Sequence, residues 1–444
     1  MENSNRDSFS GQFGIIAAAA GSAIGLGNIW RFPYVLGENG GAAFLLIYLL
    51  FVLILGVPVM ISEFAIGRKA QLNVIGAFKK VAPRSYWYII GIMGVGAAFF
   101  ILSFYAVVAG WTLEYTFLAL KNDFVGKTPD QVLELYNNLT SGNCTSIIVI
   151  LIFLVLTSII VSFGIKKGIE RYSKILMPIL LVIIVLLCVR SLTLDGAAEG
   201  LKFLFKPDFS KITGKTTLSA LGQAFFSLSL GMGVMATYGS YIKKKESLGI
   251  TAVSISLSDT LIAILAGVAI FPAVFAFGIE PAHGPGLVFV TLPGIFNQMV
   301  GGYFFSVAFF ILLVIAALTS AISLLEVVVA YFTEELKIKR KVATWIATVG
   351  MAILAIFCAK YEAIFSFFDN TSSNIMLPLG GLLIVVFAGW FWGLKTLRSE
   401  LEANGKKVYY FKAFVFVIRF IAPIAIALVF MDSIGLTEII GRFF

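Results

Sequence analysis

The sequence predicts an all-α membrane protein of eleven transmembrane helices, the first and sixth of them discontinuous. Three observations carry this expectation. The 444 residues are 59% hydrophobic and 13% charged, and the mean hydropathy of +0.97 is that of a polytopic membrane protein rather than a soluble one. Apolar segments of about twenty residues, enough to cross a bilayer, recur along the whole chain. Two of them are interrupted by the breaks Gly21-Ser22-Ala23-Ile24-Gly25-Leu26-Gly27-Asn28 and Ser227-Leu228-Ser229-Leu230-Gly231-Met232-Gly233.

The first apolar run, 13–35, follows a polar segment and continues through Trp30 and Arg31 without a small-residue cleavage site, so it reads as a retained span and not a signal peptide. Runs at 41–66, 87–120, 146–163 and 169–191 complete a set of five. A second set occupies 216–241, 250–278, 302–332, 342–359 and 369–394, and 411–431 supplies an eleventh helix. The chain is therefore one transmembrane domain, 1–444, with a first five-helix repeat at 13–191 and a second at 216–394. An odd number of spans per set inverts the second against the first, giving a 5+5 inverted repeat. The longer loops are 121–145 and 192–215.

Lys and Arg fall in alternate loops: Arg68, Lys69, Lys79, Lys80 and Arg84; Lys166, Lys167, Arg171 and Lys174; Lys243 to Lys245; Lys337, Lys339, Arg340 and Lys341; Lys395, Arg398, Lys406 and Lys407. The positive-inside rule makes these loops and the N-terminus cytoplasmic and the C-terminus extracytoplasmic in a multi-pass protein. Loop 192–215 dissents, since Lys202, Lys206, Lys211 and Lys215 would lie outside. The net charge of +9 is thus explained by topology and does not point to nucleic acid. Three cysteines (Cys144, Cys188, Cys358) and one histidine (His283) lie far apart, which argues against a zinc site, a haem or a disulfide framework. No HExxH or GxSxG motif supports an enzyme.

An unwound backbone at membrane depth is tolerated only where it is buried in protein or lines a polar cavity. Two such breaks, similarly placed in two halves, point to a transporter's binding site. The alternative is that the glycines merely allow close helix packing. At each break, half-helix ends present N–H groups and carbonyls at membrane depth, suiting the carboxylate and ammonium of an amino acid. Sodium is a hard cation served by carbonyl, hydroxyl and amide oxygens, and Asn28, Ser227, Ser258, Thr319 and Ser320 offer such oxygens.

The blocks AGSAIGLGNIWRFPY, ENGGAAF, GVPVMISEFAIGR, GQAFFSLSLGMG and ALTSAIS are together similar to the neurotransmitter:sodium symporter family, most of all to its bacterial eleven-span amino-acid transporters. The similarity runs from about Arg6 into the eleventh helix. It implies the leucine-transporter-type fold and sodium-coupled alternating access. By resemblance a first sodium is held by the Ala23 carbonyl, Asn28, Ser227 and either Ser258 or its neighbour Asp259, with the substrate carboxylate. A second is held by the carbonyls of Gly21, Ile24 and Ala316 and the hydroxyls of Thr319 and Ser320. Substrate contacts implied likewise are Ser22, Ala23, Leu26 and Gly27, then Ile101 and Tyr105, Phe226, Ser229 and Met232, and finally Ser320 and Leu324.

Monoamine-carrying relatives place an aspartate at the position of Gly25, so its absence favours an α-amino acid. Met232 lies where the family lines the side-chain pocket, and a flexible thioether repacks around branched or aromatic groups. Hydrophobic and aromatic L-amino acids are the expected substrates. Chloride-dependent relatives bind an anion beside the first sodium. The glutamate that bacterial members often supply corresponds to Ile262, which leaves Asp259 as the substitute and makes a chloride requirement unexpected. The other chloride-site positions are Tyr48, Gln223, Ser227 and Ser258.

The resemblance also implies gates, an outer pair of Arg31 and Asp369 with Gln223 beside the arginine, and an inner pair of Arg6 and Glu334 near Tyr241. Glu334 replaces the shorter aspartate of relatives. Glu63 is expected to hydrogen-bond the exposed backbone of the span-six break, Glu326 to make an internal polar contact, and His283 to sit in a solvent-facing loop. The expected partners are an amino acid, two sodium ions and the lipid bilayer, for a monomer or weak dimer. The same fold with another amino acid, an amine or proton coupling through Asp259 or Glu63 remains the alternative; a channel would need a continuous polar pore in place of two gates.

Overall fold

The computed structural model describes residues 8–279 and 286–433, so Arg6 and His283 lie outside the described residues. Every regular element among them is helical. Among the described residues nine helices are long and apolar enough to cross a membrane unaided. They are spans two to five (Ala42–Ala70, Tyr88–Leu120, Cys144–Ser162, Ile165–Leu192) and seven to eleven (Leu248–Ala276, Gly302–Glu334, Arg340–Lys360, Glu362–Phe391, Phe411–Asp432). Span one is the pair Gln12–Ala23 and Gly27–Glu38, bent by 49° at the first break. Span six is the pair Gly214–Ser227 and Val234–Gly239, one on each side of the second. With the bent first pair this makes ten spans by length and composition among the described residues, and the short broken pair at 214–239 stands where the sequence placed its sixth.

Spans three and eight form the centre, with 67% and 72% of their apolar windows buried, whereas spans five and eleven bury only 28% each and lie at the rim. The loops hold more structure than expected. Short helices occupy Val74–Val81, Pro129–Thr140, Ala197–Phe205 and Leu394–Leu401. Asn73 caps the first through Ile75 N and Gly76 N, and Thr128 and Gln131 form a reciprocal capping box before Pro129 on the second. The dissenting loop 192–215 contains the amphipathic helix Ala197–Phe205. Its buried Gly200 packs on the backbone of Phe271 and Pro272 in span seven, while Lys202 stays exposed beside Glu199.

Two arginines expected as loop charges are structural. Arg68 is fully buried; it donates to the Glu246 carbonyl at 2.8 Å and to the backbone carbonyl of Glu400, whose carboxylate lies 3.4 Å away. It ties together the connections after spans two, six and ten. Arg340 donates to the Val161 carbonyl at 2.9 and 3.0 Å and pairs with buried Glu326, joining the ends of spans four and eight. Both arginines belong to the loops that the sequence groups by their Lys and Arg, and each links the ends of spans from that group.

Candidate functional site

The two breaks face each other in the interior. Span one stops at Ala23 because Ile24 turns extended (φ −76°, ψ 92°), and Asn28 Oδ1 accepts the freed N–H of Gly25 at 3.2 Å. Span six unwinds through three left-handed residues, Ser229 (φ 54°), Gly231 (φ 78°) and Gly233 (φ 75°). Glycine is required at 231 on two counts, since its φ disfavours any side chain and a Cβ there would strike the Leu377 carbonyl. The hydroxyl of Ser229 donates to the Ser22 carbonyl at 3.2 Å, bridging the breaks.

Glu63 in span two satisfies the unwound backbone as expected, accepting from Gly231 N at 2.8 Å and Ala236 N at 3.3 Å. A buried carboxylate in this place does what lipid cannot. Glu63→Gln turns an amide NH2 toward one of these donors, so a loss of about 1–3 kcal/mol in stability and weaker sodium-dependent binding are expected. Parental thermal unfolding and binding would remove Glu63 from this role.

Asp259 in span seven is fully buried and gathers three polar side chains. Its oxygens accept from Asn28 Nδ2 at 2.7 Å, from Ser227 Oγ at 2.8 and 2.9 Å and from Tyr48 OH at 3.2 Å. Ser258 does not join them. It is half-buried and donates to the Ser254 carbonyl of its own helix at 2.8 Å. Successive helical residues point about 100° apart, so an inward Asp259 turns Ser258 away. Gln223 also leaves this group, donating to the Gly27 carbonyl at 2.9 Å.

A second set of oxygens lies between spans one and eight. Thr319 Oγ1 is 3.1 Å from the Ala316 carbonyl and 3.5 Å from that of Ile24, and Gly21 packs against Thr319. Ser320 Oγ turns the other way, donating to the Ser22 carbonyl at 2.9 Å. Between the two sets is a cavity of about 30 Å³ walled by Ser22, Ala23, Gly25 and Gly27, by Ile101 and Tyr105, by Phe226, Ser229 and Met232, and by Ser320 and Leu324. Leu26 contributes backbone rather than side chain, its N–H donating to Tyr105 OH at 3.3 Å. Gly25 takes its place in the wall. Room for no more than about two waters means the walls must part to admit a solute.

Beyond the cavity, Phe226 lies under the guanidinium of Arg31 at 4.4 Å. No ion pair joins Arg31 to Asp369 among the described residues. Asp369 instead accepts from Ser373 at 2.9 Å and borders a vestibule of about 580 Å³ with Trp30, Tyr34, Trp111 and Phe365. On the opposite side Glu334 accepts from the backbone and side chain of Asn73, and Tyr241 donates to Glu326 at 2.8 Å. Glu326, expected only as an internal contact, thus links Tyr241 to Arg340. The packed Phe9, edge-on to Tyr238 and Tyr241, closes that side.

Paired breaks, a buried niche that must open to admit a solute, and a vestibule on one side are the marks of a membrane transporter. The profile of the Sodium:neurotransmitter symporter family matches residues 6–131 and 129–439. The chain belongs to that family, which comprises transporters and not enzymes, and is a sodium-dependent transporter. It is 42% identical to an uncharacterized sodium-dependent transporter of Bacillus subtilis over 96% of this chain and 98% of that protein. A sodium-dependent serotonin transporter of Drosophila melanogaster is 26% identical, covering 98% of this chain and 78% of the relative. Among solved structures, MhsT in complex with L-phenylalanine superposes with a TM-score of 0.90 at 45% identity, covering 97% of this chain and all of that one. The leucine-transporter-type fold expected from the sequence is the fold found.

Proposed function

We propose that this transporter couples inward sodium flow to uptake of hydrophobic and aromatic L-amino acids by alternating access, without a chloride requirement. The observation that carries the reading is the polarity of the cavity. Its polar end gathers the hydroxyls of Tyr105 and Ser320 at span-one Gly25, with Ser22 and Ser229 joined to Ser320 through the Ser22 carbonyl, and its apolar lining is Ile101, Phe226, Met232 and Leu324. No charged side chain lines it. Such a polar end suits a carboxylate and an ammonium held by half-helix dipoles, and the apolar end suits an uncharged side chain. The complex of MhsT with L-phenylalanine supports the same class.

The first sodium takes the carboxylate of Asp259, Ser227, the Ala23 carbonyl and Asn28, whose amide turns its oxygen inward when the ion replaces the contact to Asp259. The second takes the carbonyls of Gly21, Ile24 and Ala316 with Thr319, and with Ser320 once its hydroxyl turns from the Ser22 carbonyl. Each charge moving down 100 mV contributes about 2.3 kcal/mol, so two ions concentrate a neutral solute strongly. Arg31 and Asp369 close over Phe226 as the vestibule collapses, and Arg6 with Glu334 and Tyr241 seals the other side. The two five-helix repeats, 13–191 and 216–394, lie inverted in an inner membrane, with the N-terminus cytoplasmic and the C-terminus outside. The transporter works as a monomer or weak dimer.

The test is a competition screen of the twenty amino acids against sodium-dependent binding to purified protein. Phenylalanine, leucine and their like should compete best, and Met232→Trp should shift preference toward smaller side chains by at least tenfold. Preference for glycine, charged amino acids or decarboxylated amines would overturn the assignment, as would uptake that persists when choline replaces sodium at fixed pH.

A further inference from the structure

A groove of about 490 Å³ opens between spans two, seven and eleven, well away from the central cavity. The small residues Pro58, Gly249 and Ala413 leave it between the larger Leu53, Ile250 and Val253, all three of which are exposed. In a membrane-spanning chain, an exposed apolar face on three spans meets lipid. Its lining on span eleven runs from Tyr410 to Val417, a rise of about 10 Å, which is two-thirds of the roughly 15 Å hydrocarbon depth of one leaflet.

The groove is closed in chemistry at one end only. Span seven enters it in its first turn, directly after Lys243, Lys244 and Lys245, and span eleven does so after Lys406 and Lys407, with Lys412 in its own first turn. Within 243–250 and 403–420 the one acidic residue is Glu246, which is buried; Glu402, just outside, accepts from Val408 N–H at 3.2 Å and is paired with Arg398 at 3.1 Å, so the unpaired exposed charge at this mouth is positive. Tyr410 stands there half-exposed, its hydroxyl occupying the space that a Cβ on Gly249 would take.

We propose that the groove binds an anionic phospholipid of the lysine-rich leaflet, one acyl chain lying along Ala413 and Val253. Its phosphate meets Lys412 and the lysines beside it, and Tyr410 OH donates to its ester region. The site bears on transport through the helices it touches. Ile61 at the groove is two residues from Glu63, which holds the span-six break, and Val253 is six residues before Asp259 on span seven.

Native mass spectrometry of the purified full-length protein, with phosphatidylglycerol and phosphatidylcholine of identical chains, tests this without any transport readout. The parent should hold phosphatidylglycerol the more tightly. Lys412→Gln, a surface change that leaves folding intact, should weaken that lipid about fivefold and leave phosphatidylcholine unmoved. Ala413→Trp should fill the groove and abolish retention of both, while Val349→Trp on the exposed face of span nine changes nothing. Parental phosphatidylglycerol binding in both Ala413→Trp and Lys412→Gln, or equal affinity of the parent for the two lipids, would overturn the proposal.

Discussion

Replacing Asp259 with asparagine is expected to cut sodium-driven uptake in chloride-free buffer by about 10- to 100-fold. Hydrogen bonds to a charged group contribute about 1.5–3 kcal/mol, and each 1.4 kcal/mol is a factor of ten. The carboxylate accepts from Asn28, Ser227 and Tyr48 at once, and an amide supplies one oxygen where two are used. It also removes the negative charge that a cation between spans one and seven would need. Added chloride should restore part of the uptake, because Tyr48, Ser227 and Asn28 would then offer an anion the donors that Asp259 now uses. The protein should still purify and unfold as the parent does, which separates a lost ion site from a lost fold. Unchanged uptake without chloride would dismiss Asp259 as the substitute for the anion, and so would a defect that chloride leaves untouched.

The fold is legible because the bilayer allows few solutions: apolar length marks the spans, and a break needs a polar or protein lining. What periodicity does not rank is position in the bundle. Spans three and five are both apolar all round, yet one is central and the other at the rim, since lipid and protein interior look alike to a leucine. Burial follows instead from residues such as Gly91, which lies against the backbone of Ile75. The short loop helices are legible in part. Thr128-Pro129-Asp130-Gln131 is a capping signature that a reading of 121–145 as plain loop passes over. Arg68 and Arg340 escape such a reading because charge near a span end looks the same whether it faces water or a carbonyl. In the site, adjacent oxygens are not ranked by sequence: Ser258 and Asp259 are neighbours, and only the helix rotation separates them. Arg31 and Asp369 are not paired in the structure, Asp369 accepting from Ser373 instead, and the sequence does not show this because a motif names residues without fixing the distance between them.

Changes at Gly25 should strike both halves of the proposed coupling. A Cβ at this position would press on the Ser320 hydroxyl and lie 3.1 Å from Tyr105 OH. The first of these donates to the Ser22 carbonyl and the second accepts from Leu26 N–H, so neither can retreat without releasing span-one backbone. Overpacking of this kind costs about 1–3 kcal/mol, and Gly25→Ala is accordingly expected to weaken amino-acid binding by about 5- to 100-fold. Gly25→Asp adds a carboxylate to the same space and should abolish amino-acid binding by repelling the substrate's own. Binding of a decarboxylated amine such as phenethylamine should suffer less, since its missing carboxylate leaves room for the new one. Because Ser320 sits beside Thr319, the alanine variant should also need more sodium for half-maximal binding. Isothermal titration with phenylalanine and phenethylamine across a sodium series separates these effects. If Gly25→Asp bound phenylalanine as the parent does, the carboxylate would have to lie elsewhere, and the polar end of the cavity would lose its assigned partner.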